Sequence, residues 1–308
     1  MKLRTLVLLL ILSASAFLAY EVVQDRNPLD RLTALLDPGT PAPVPARVNE
    51  TFTATTTDEN ALILSAPPRE NLADGNKRFG PMAEYLTQVL GRKVIYRHPG
   101  TWGGYQSDMQ RDEYDLVFDG PHFVSWRIDK HRHHALVKLP GEFRYIGFVR
   151  ADNTDIKGID DFAGQPVCVH APPNLGTLML LSEFDNPSRQ PSIVITKGYD
   201  KIYKGVLEGR CAAAMLPRKH LQKHDKDGTQ TRVVYEHRPA PEQALTAGWR
   251  VSPRLREKIV NALVAQSAEA KLVSFREAYA LGGWFVYADD KEYDGLGAYL
   301  KPVQGFYK

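Results

Sequence analysis

Cysteine is almost absent from this chain: 308 residues contain two, Cys168 and Cys211. With no CxxC pair there is no zinc-ribbon or thioredoxin-like motif. A Walker-type loop and a GxGxxG turn are also missing, so no nucleotide-binding fingerprint is present. Charge of one sign is scarce: the formal net charge is +3, and no basic stripe is interleaved with aromatics, which leaves no case for nucleic acid. No Ser or Cys sits in a nucleophile elbow. The carboxylate pairs Asp160-Asp161 and Asp289-Asp290 fall in polar turns. These absences predict a protein without catalysis, metal or cofactor.

What is present begins with an apolar leader, "MKLRTLVLLLILSASAFLAY". Lys2 and Arg4 precede the apolar run Thr5 to Leu12, and Ala14-Ser15-Ala16 fits a cleavage site. The run continues to Val23, so residues 1–23 read either as a signal peptide or as a membrane anchor, and the rest of the chain as exported. No cysteine lies near the run, which speaks against a lipoprotein anchor. Residues 24–57 are rich in Pro and Thr and read as a stiff linker.

From Ala61 onward strands and helices alternate. "ALILSA" is a strand. "RFGPMAEYLTQVLG" places Phe79, Met82, Ala83, Leu86, Val89 and Leu90 on one helical face, with Gly91 as the stop. The strands "KVIYR", "YDLVFDG" and "YIGFVRADN" follow. A second series runs "PVCVH", a helix from Leu175, "SIVIT", "DKIYKGVLEG", "CAAAMLP" and "TRVVYEH". Ser252-Pro253 then opens a helix with Leu255, Ile259, Ala262 and Leu263 on one face. Alternation of this kind predicts an α/β fold of parallel sheets with helices on both faces, here as two lobes around a cleft. Ligands of such sheets bind beyond the carboxyl ends of the strands.

The segments "FGPMAEYLTQVLGRKV", "DEYDLVFDGPHFV", "YIGFVRADNTDIKGIDDFAGQPVCVH" and "GYDKIYKGVLEGRCAAAMLP", in this order over roughly residues 60–300, resemble the phosphonate/phosphite-type periplasmic solute-binding proteins of ABC transporters. The resemblance implies a type II two-lobe fold that closes on a small molecule, a periplasmic location and an ABC transporter permease as partner. On that pattern residues 58–149 with 245–308 form lobe 1, and 150–244 form lobe 2. The family's phosphonate cradle is a Ser/Thr-rich turn. The matching positions here are Pro173, Asn174 and Leu175, with Gly176 and Thr177 behind them. Tyr199 stands where the family has a His, and the family's acid near "CAAAMLP" is replaced by Cys211 or missing. Pro172 and Pro173 also remove two backbone donors. The expected ligand is therefore not a simple phosphonate. An apolar or lipid-like ligand is one alternative, and a membrane-anchored ligand sensor is another.

The first-lobe wall should come from the loop after "ALILSA" (Pro67, Arg69), from Trp102 and Tyr105 in a Gly-rich loop, and from Asp119, His122 and Phe123 at a strand's carboxyl end. His170 ends the strand before the Pro-Pro turn and is a candidate on the other wall. His131, His133 and His134 lack a metal-site spacing and read as a solvated basic helix end. The first and third strands of the second series should be neighbours, which would bring Cys168 near Cys211; a disulfide and two buried thiols both stay open.

Overall fold

The structure, a computed structural model, describes residues 60–306; the leader and linker readings fall outside them. In the first half the chain alternates β1 (Leu62–Ser65), α1 (Leu72–Leu90), β2 (Val94–Tyr96), α2 (Trp102–Gln110), β3 (Leu116–Asp119), α3 (Pro121–His131) and β4 (His134–Lys138). α1 begins well ahead of the apolar stretch that announces it, because the Asn71 side chain caps the Asp74 N–H. It ends at Gly91, whose φ of 63° lets its N–H reach Thr87.

The chain then crosses over through β5 (Glu142–Phe143) into β6 (Tyr145–Arg150), β7 (Pro166–Val169), α4 (Leu175–Ser182), β8 (Ser192–Ile195), α5 (Tyr199–Leu207), β9 (Ala213–Pro217), α6 (Arg218–His224) and β10 (Thr231–Glu236). It returns through β11 (Ala240–Pro241) to β12 (Ala244–Ala247), α7 (Pro253–Val264), α8 (Gln266–Lys271), α9 (Val273–Tyr279) and β13 (Val286–Tyr287). Two 3-10 turns, Asp290–Tyr293 and Leu296–Leu300, follow. Among the described residues no helix is long and apolar enough to cross a membrane.

Two sheets result. One runs β13-β4-β12-β3-β1-β2, the other β10-β6-β9-β7-β8. β1 pairs in parallel with β2 and β3, and β7 in parallel with β8 and β9. The two crossings pair with each other as the ribbon β5–β11, Phe143 opposite Ala240, which makes the hinge. The first crossing precedes β6, and β6 hydrogen-bonds β9 and β10 in the second sheet. The lobe boundary expected at 149–150 therefore falls at the far end of that strand.

The first lobe packs around an aromatic cluster: Phe118 lies 4.9 Å from Phe275 and 5.4 Å from Tyr279, centroid to centroid, with Phe79 and Phe285 beside them. The second has a smaller core in which Cys168 and Cys211 are bridged, Cα atoms 5.7 Å apart. Cys168 pairs across the ladder with Ala214, and Cys211 sits just ahead of β9, so the neighbouring-strand argument selects the disulfide over two free thiols.

Two readings are corrected. His131 closes α3 and His134, at the start of β4, is exposed, but His133 between them is 2% exposed with its Nδ1 3.0 Å from Thr246 Oγ1, so His133 departs from the reading of a solvated helix end. Trp102 and Tyr105 lie on α2 rather than in a loop, since Thr101 caps the Gly104 N–H.

Candidate functional site

The carboxyl ends of β1 and β3 carry Arg69 and Asp119. Asp119 is fully buried and its carboxylate is fully engaged. Oδ1 accepts from the Gly120 N–H at 2.6 Å and from Arg69 Nη2 at 3.4 Å. Oδ2 accepts from Arg127 Nη1 at 3.1 Å and from the Tyr105 hydroxyl. A carboxylate so used has little left for a ligand; it anchors two arginines. Arg127 is 1% exposed, and its Nε also reaches Thr246 Oγ1 at 3.3 Å. Tyr105 is likewise buried; burial and then the Asp119 charge push its pKa well above the usual value, so it stays a donor.

Arg69 is only partly covered, with a third of its side chain accessible, and it also donates to Gln243 Oε1. Burial works against its charge, but Asp119, Tyr279 and Glu70 together hold its pKa above the ordinary arginine value. Two arginines share the one Asp119 carboxylate, so this corner of the cleft carries a net positive charge.

The opposite wall comes from the second lobe. Asn174 caps α4, its Oδ1 accepting from the Thr177 N–H at 3.4 Å. Thr177 turns inward and donates to the His170 carbonyl at 2.6 Å. Tyr199, the first residue of α5, stacks between His170 (4.7 Å) and His220 (4.0 Å). Its hydroxyl is hydrogen-bonded to Asn174 and to Tyr145. Burial raises the pKa of both tyrosines, and Arg69 and Glu242 both act on them electrostatically. Arg69 of the first lobe and Glu242 thus act on the same pair of tyrosines in the second. Glu242 is 6% exposed; Oε1 takes Lys219 Nζ at 3.2 Å and Oε2 is buried without a partner.

The lobes touch at His122. Its Nε2 lies 3.0 Å from the Pro173 carbonyl, and its ring lies 4.2 Å from that of Phe123. Burial lowers the His122 pKa to about 4, Asp119 and the Pro173 contact opposing, so the ring is neutral and donates through Nε2–H. Nδ1 is buried and unpartnered.

The structure sorts the expected site residues accordingly. Arg69, His122, His170, Asn174 and Tyr199 surround the meeting place of the lobes, and Pro173 presents its carbonyl there. Asp119, Tyr105 and Phe123 lie beneath it, each 1% exposed or less. Trp102 stacks on Phe123 at 6.3 Å and stays 39% exposed. Pro67 is buried in the turn that delivers Arg69. Thr177 serves the turn's own backbone. Leu175, 4% exposed, packs into a core shared with Val169 and Met215. The reading of that turn as an apolar ligand wall is thereby replaced: its leucines face protein. Sequence reasoning missed Arg127, Tyr145, His220 and Glu242. An arginine inside the apolar run "PHFVSWRI" was the available signal for Arg127.

The model of the family described as "ABC transporter, phosphonate, periplasmic substrate-binding protein" matches residues 64–293. The chain belongs to that family. A curated relative, the phosphate-import protein PhnD of Mycolicibacterium smegmatis, is 26% identical over 242 residues, covering 70% of this chain and 74% of the relative. Among solved structures, XAC2383 from Xanthomonas citri bound to ATP superposes with a TM-score of 0.63 at 14% identity, over 81% of this chain and all of that one. PhnD1 from Prochlorococcus marinus in complex with methylphosphonate gives 0.57 at 15%, over 80% and 99%. Both show the two-lobe fold of the periplasmic substrate-binding proteins. Against the phosphonate-type pattern, Pro173, Asn174 and Leu175 stand in this chain where the Ser/Thr turn would be.

Proposed function

We propose that this periplasmic substrate-binding protein captures a small oxoanion carrying one negative charge and hands it to an ABC transporter. One observation carries the reading: the net positive corner made by Arg69 and Arg127 over a single shared Asp119 faces the protonated hydroxyls of Tyr145 and Tyr199. A dianion in a closed cleft needs many donors to replace its water. The Pro-Pro-Asn-Leu turn supplies few, while one guanidinium and two hydroxyls suit a monoanion. The apolar-ligand alternative has lost its support, since Leu175 is packed inside the second lobe. In this reading the N-terminal apolar segment exports the chain, and it tethers it if left uncleaved.

Calorimetry tests the reading. The expectation that simple phosphonates do not bind narrows to their dianions: the methylphosphonate monoanion, at about pH 6, should bind, Arg69→Met should weaken it at least tenfold, and phosphate at about pH 8.5 should stay weaker than micromolar. Sub-micromolar binding of phosphate at the higher pH would sink the proposal.

A further inference from the structure

His122 has one nitrogen accounted for and one not. A carbonyl oxygen only accepts, so the 3.0 Å contact to Pro173 fixes the proton on Nε2. Nδ1 is then a bare lone pair, inside a residue 4% exposed, with no partner. A buried acceptor left without a donor is costly, and such groups in native proteins call for an explanation.

The surroundings show what Nδ1 faces. Gly120 has no side chain; a Cβ there would stand 3.3 Å from His122 Nδ1 and 3.7 Å from Arg69 Nη2. The glycine therefore lets the imidazole acceptor and the guanidinium donor converge on a space too narrow for a side chain, since a Cβ would also stand 3.1 Å from His122 Cε1, at the first turn of the eleven-residue helix α3. Three ionisable groups act on the ring. Asp119, at the end of β3, has its carboxylate spent on other donors. Arg69, from the loop after β1, and Arg127, from α3 itself, both oppose a positive charge on His122.

An oxoanion oxygen placed in that space can take a hydrogen bond from Arg69. Toward Nδ1, a bare oxygen meets lone pair against lone pair. Two escapes exist, and both are costly. The ring can shift its proton to Nδ1, which breaks the clasp to Pro173. Or it can take a second proton, beside two arginines. An oxygen that carries its own proton needs neither.

We infer that His122 is the specificity residue of the cleft: its Nδ1 accepts a hydrogen bond from a proton on the ligand, so the protein selects singly protonated oxoanions over unprotonated ones of equal charge. The inference rests on the oxoanion reading above and deepens it. The same ring joins ligand choice to lobe contact, since Nε2–H holds the second lobe only while Nδ1 remains an acceptor.

The test uses two probes of the same tetrahedral shape and the same single charge. Methylphosphonate at about pH 6 carries an acidic proton; methanesulfonate carries none. The full chain should bind the first about 30-fold more tightly than the second, as expected when one buried acceptor is left without its donor. His122→Phe keeps the ring but removes both nitrogens and should bring the ratio to within about threefold. His122→Asn, whose amide can donate and accept, should restore part of it. Independently of any variant, nitrogen-15 spectra of the wild-type histidines should show His122 as the neutral Nε2–H form. A Nδ1–H form, equal binding of the two probes by the wild type, or an unchanged ratio in His122→Phe overturns the inference alone. If neither probe binds at about 10 mM, the oxoanion reading fails and this inference falls with it.

Discussion

The two lobes share a plan and differ in what they bury. The first lobe buries charge: Asp119, Arg127, Asp115 and His133 are all 3% exposed or less. The second buries its carboxylates less deeply, Asp225 at 7% and Glu242 at 6%, adds the threonines Thr177, Thr196 and Thr231, and closes its core with a covalent bridge. Charge is held where the aromatic cluster is largest, because a rigid apolar frame keeps donors and acceptors in register and so makes an ion pair tolerable. The second lobe carries part of that cost at Asp225 and Glu242 and is cross-linked as well. It contributes hydroxyls, an amide and a carbonyl to the cleft, while the first contributes the net charge.

The sharpest way to break this contrast is at Asp119. Asp119→Ala leaves Arg127 buried and unpaired and frees Tyr105 and the Gly120 N–H. The expected loss is about 4–5 kcal/mol of unfolding free energy by urea titration; a loss under about 1 kcal/mol would mean the network is not what holds the first lobe.

In the second lobe, replacing Cys168 and Cys211 together by alanine opens a loop of 43 residues. The chain-entropy relation gives about 3–4 kcal/mol. Thermal unfolding of the double variant, with and without reductant, should match that of the reduced wild type. Phosphonate-probe affinity should hardly change, because the bridge lies in the core beneath α5, on which Tyr199 packs, and contributes no polar group to the cleft.

Acid should act through the first lobe. His122 and His133 have folded pKa values near 4 against an ordinary 6.5, burial being the main cause in each. Their stability contribution is present above 6.5, where the unfolded chain is also neutral, and is lost as pH falls from 6.5 toward 4, where only the unfolded chain takes up protons. Between pH 6.5 and about 4.5 the expected loss is roughly 2 kcal/mol for each histidine, and Asp112, held below the usual carboxylate range, adds to the loss only at lower pH. Urea midpoints across that range measure it, and His133→Gln should flatten the slope by about half.

The smallest effect is Tyr199→Phe. It removes one donor to the ligand and keeps the ring between His170 and His220. Affinity for methylphosphonate should fall about three- to tenfold, with melting temperature unchanged. A larger drop would move the weight of binding into the second lobe.

Much of the architecture is legible in the sequence because it is local: apolar periodicity gives α1, the alternation gives both sheets, and the strand order predicts that Cys168 meets Cys211. The site is less legible because its defining contacts are not local. The apolar run around Arg127 signals burial, but the partners that make it tolerable are not local: Asp119 at the end of β3 and Thr246, 119 residues away. Tyr145 and Glu242 flank the two hinge crossings, and only the pairing of β5 with β11 brings those crossings together. At Pro173 to Leu175 composition misleads. The loss of hydroxyls is real, but Leu175 turns inward, and it is a backbone carbonyl that meets the first lobe.

The position of β12 has a consequence in time. The second lobe is one unbroken stretch, β6 through β10, and its pairings become available once residue 236 has emerged. The first lobe's sheet needs β12 between β3 and β4, so strands made early wait for residues 244–247 before they can be joined. A chain emerging amino end first can thus complete its middle before its beginning. Until then the apolar faces of β1 and β3 stand open, the interval in which a nascent first lobe is most exposed to aggregation and in which a holding chaperone has its target.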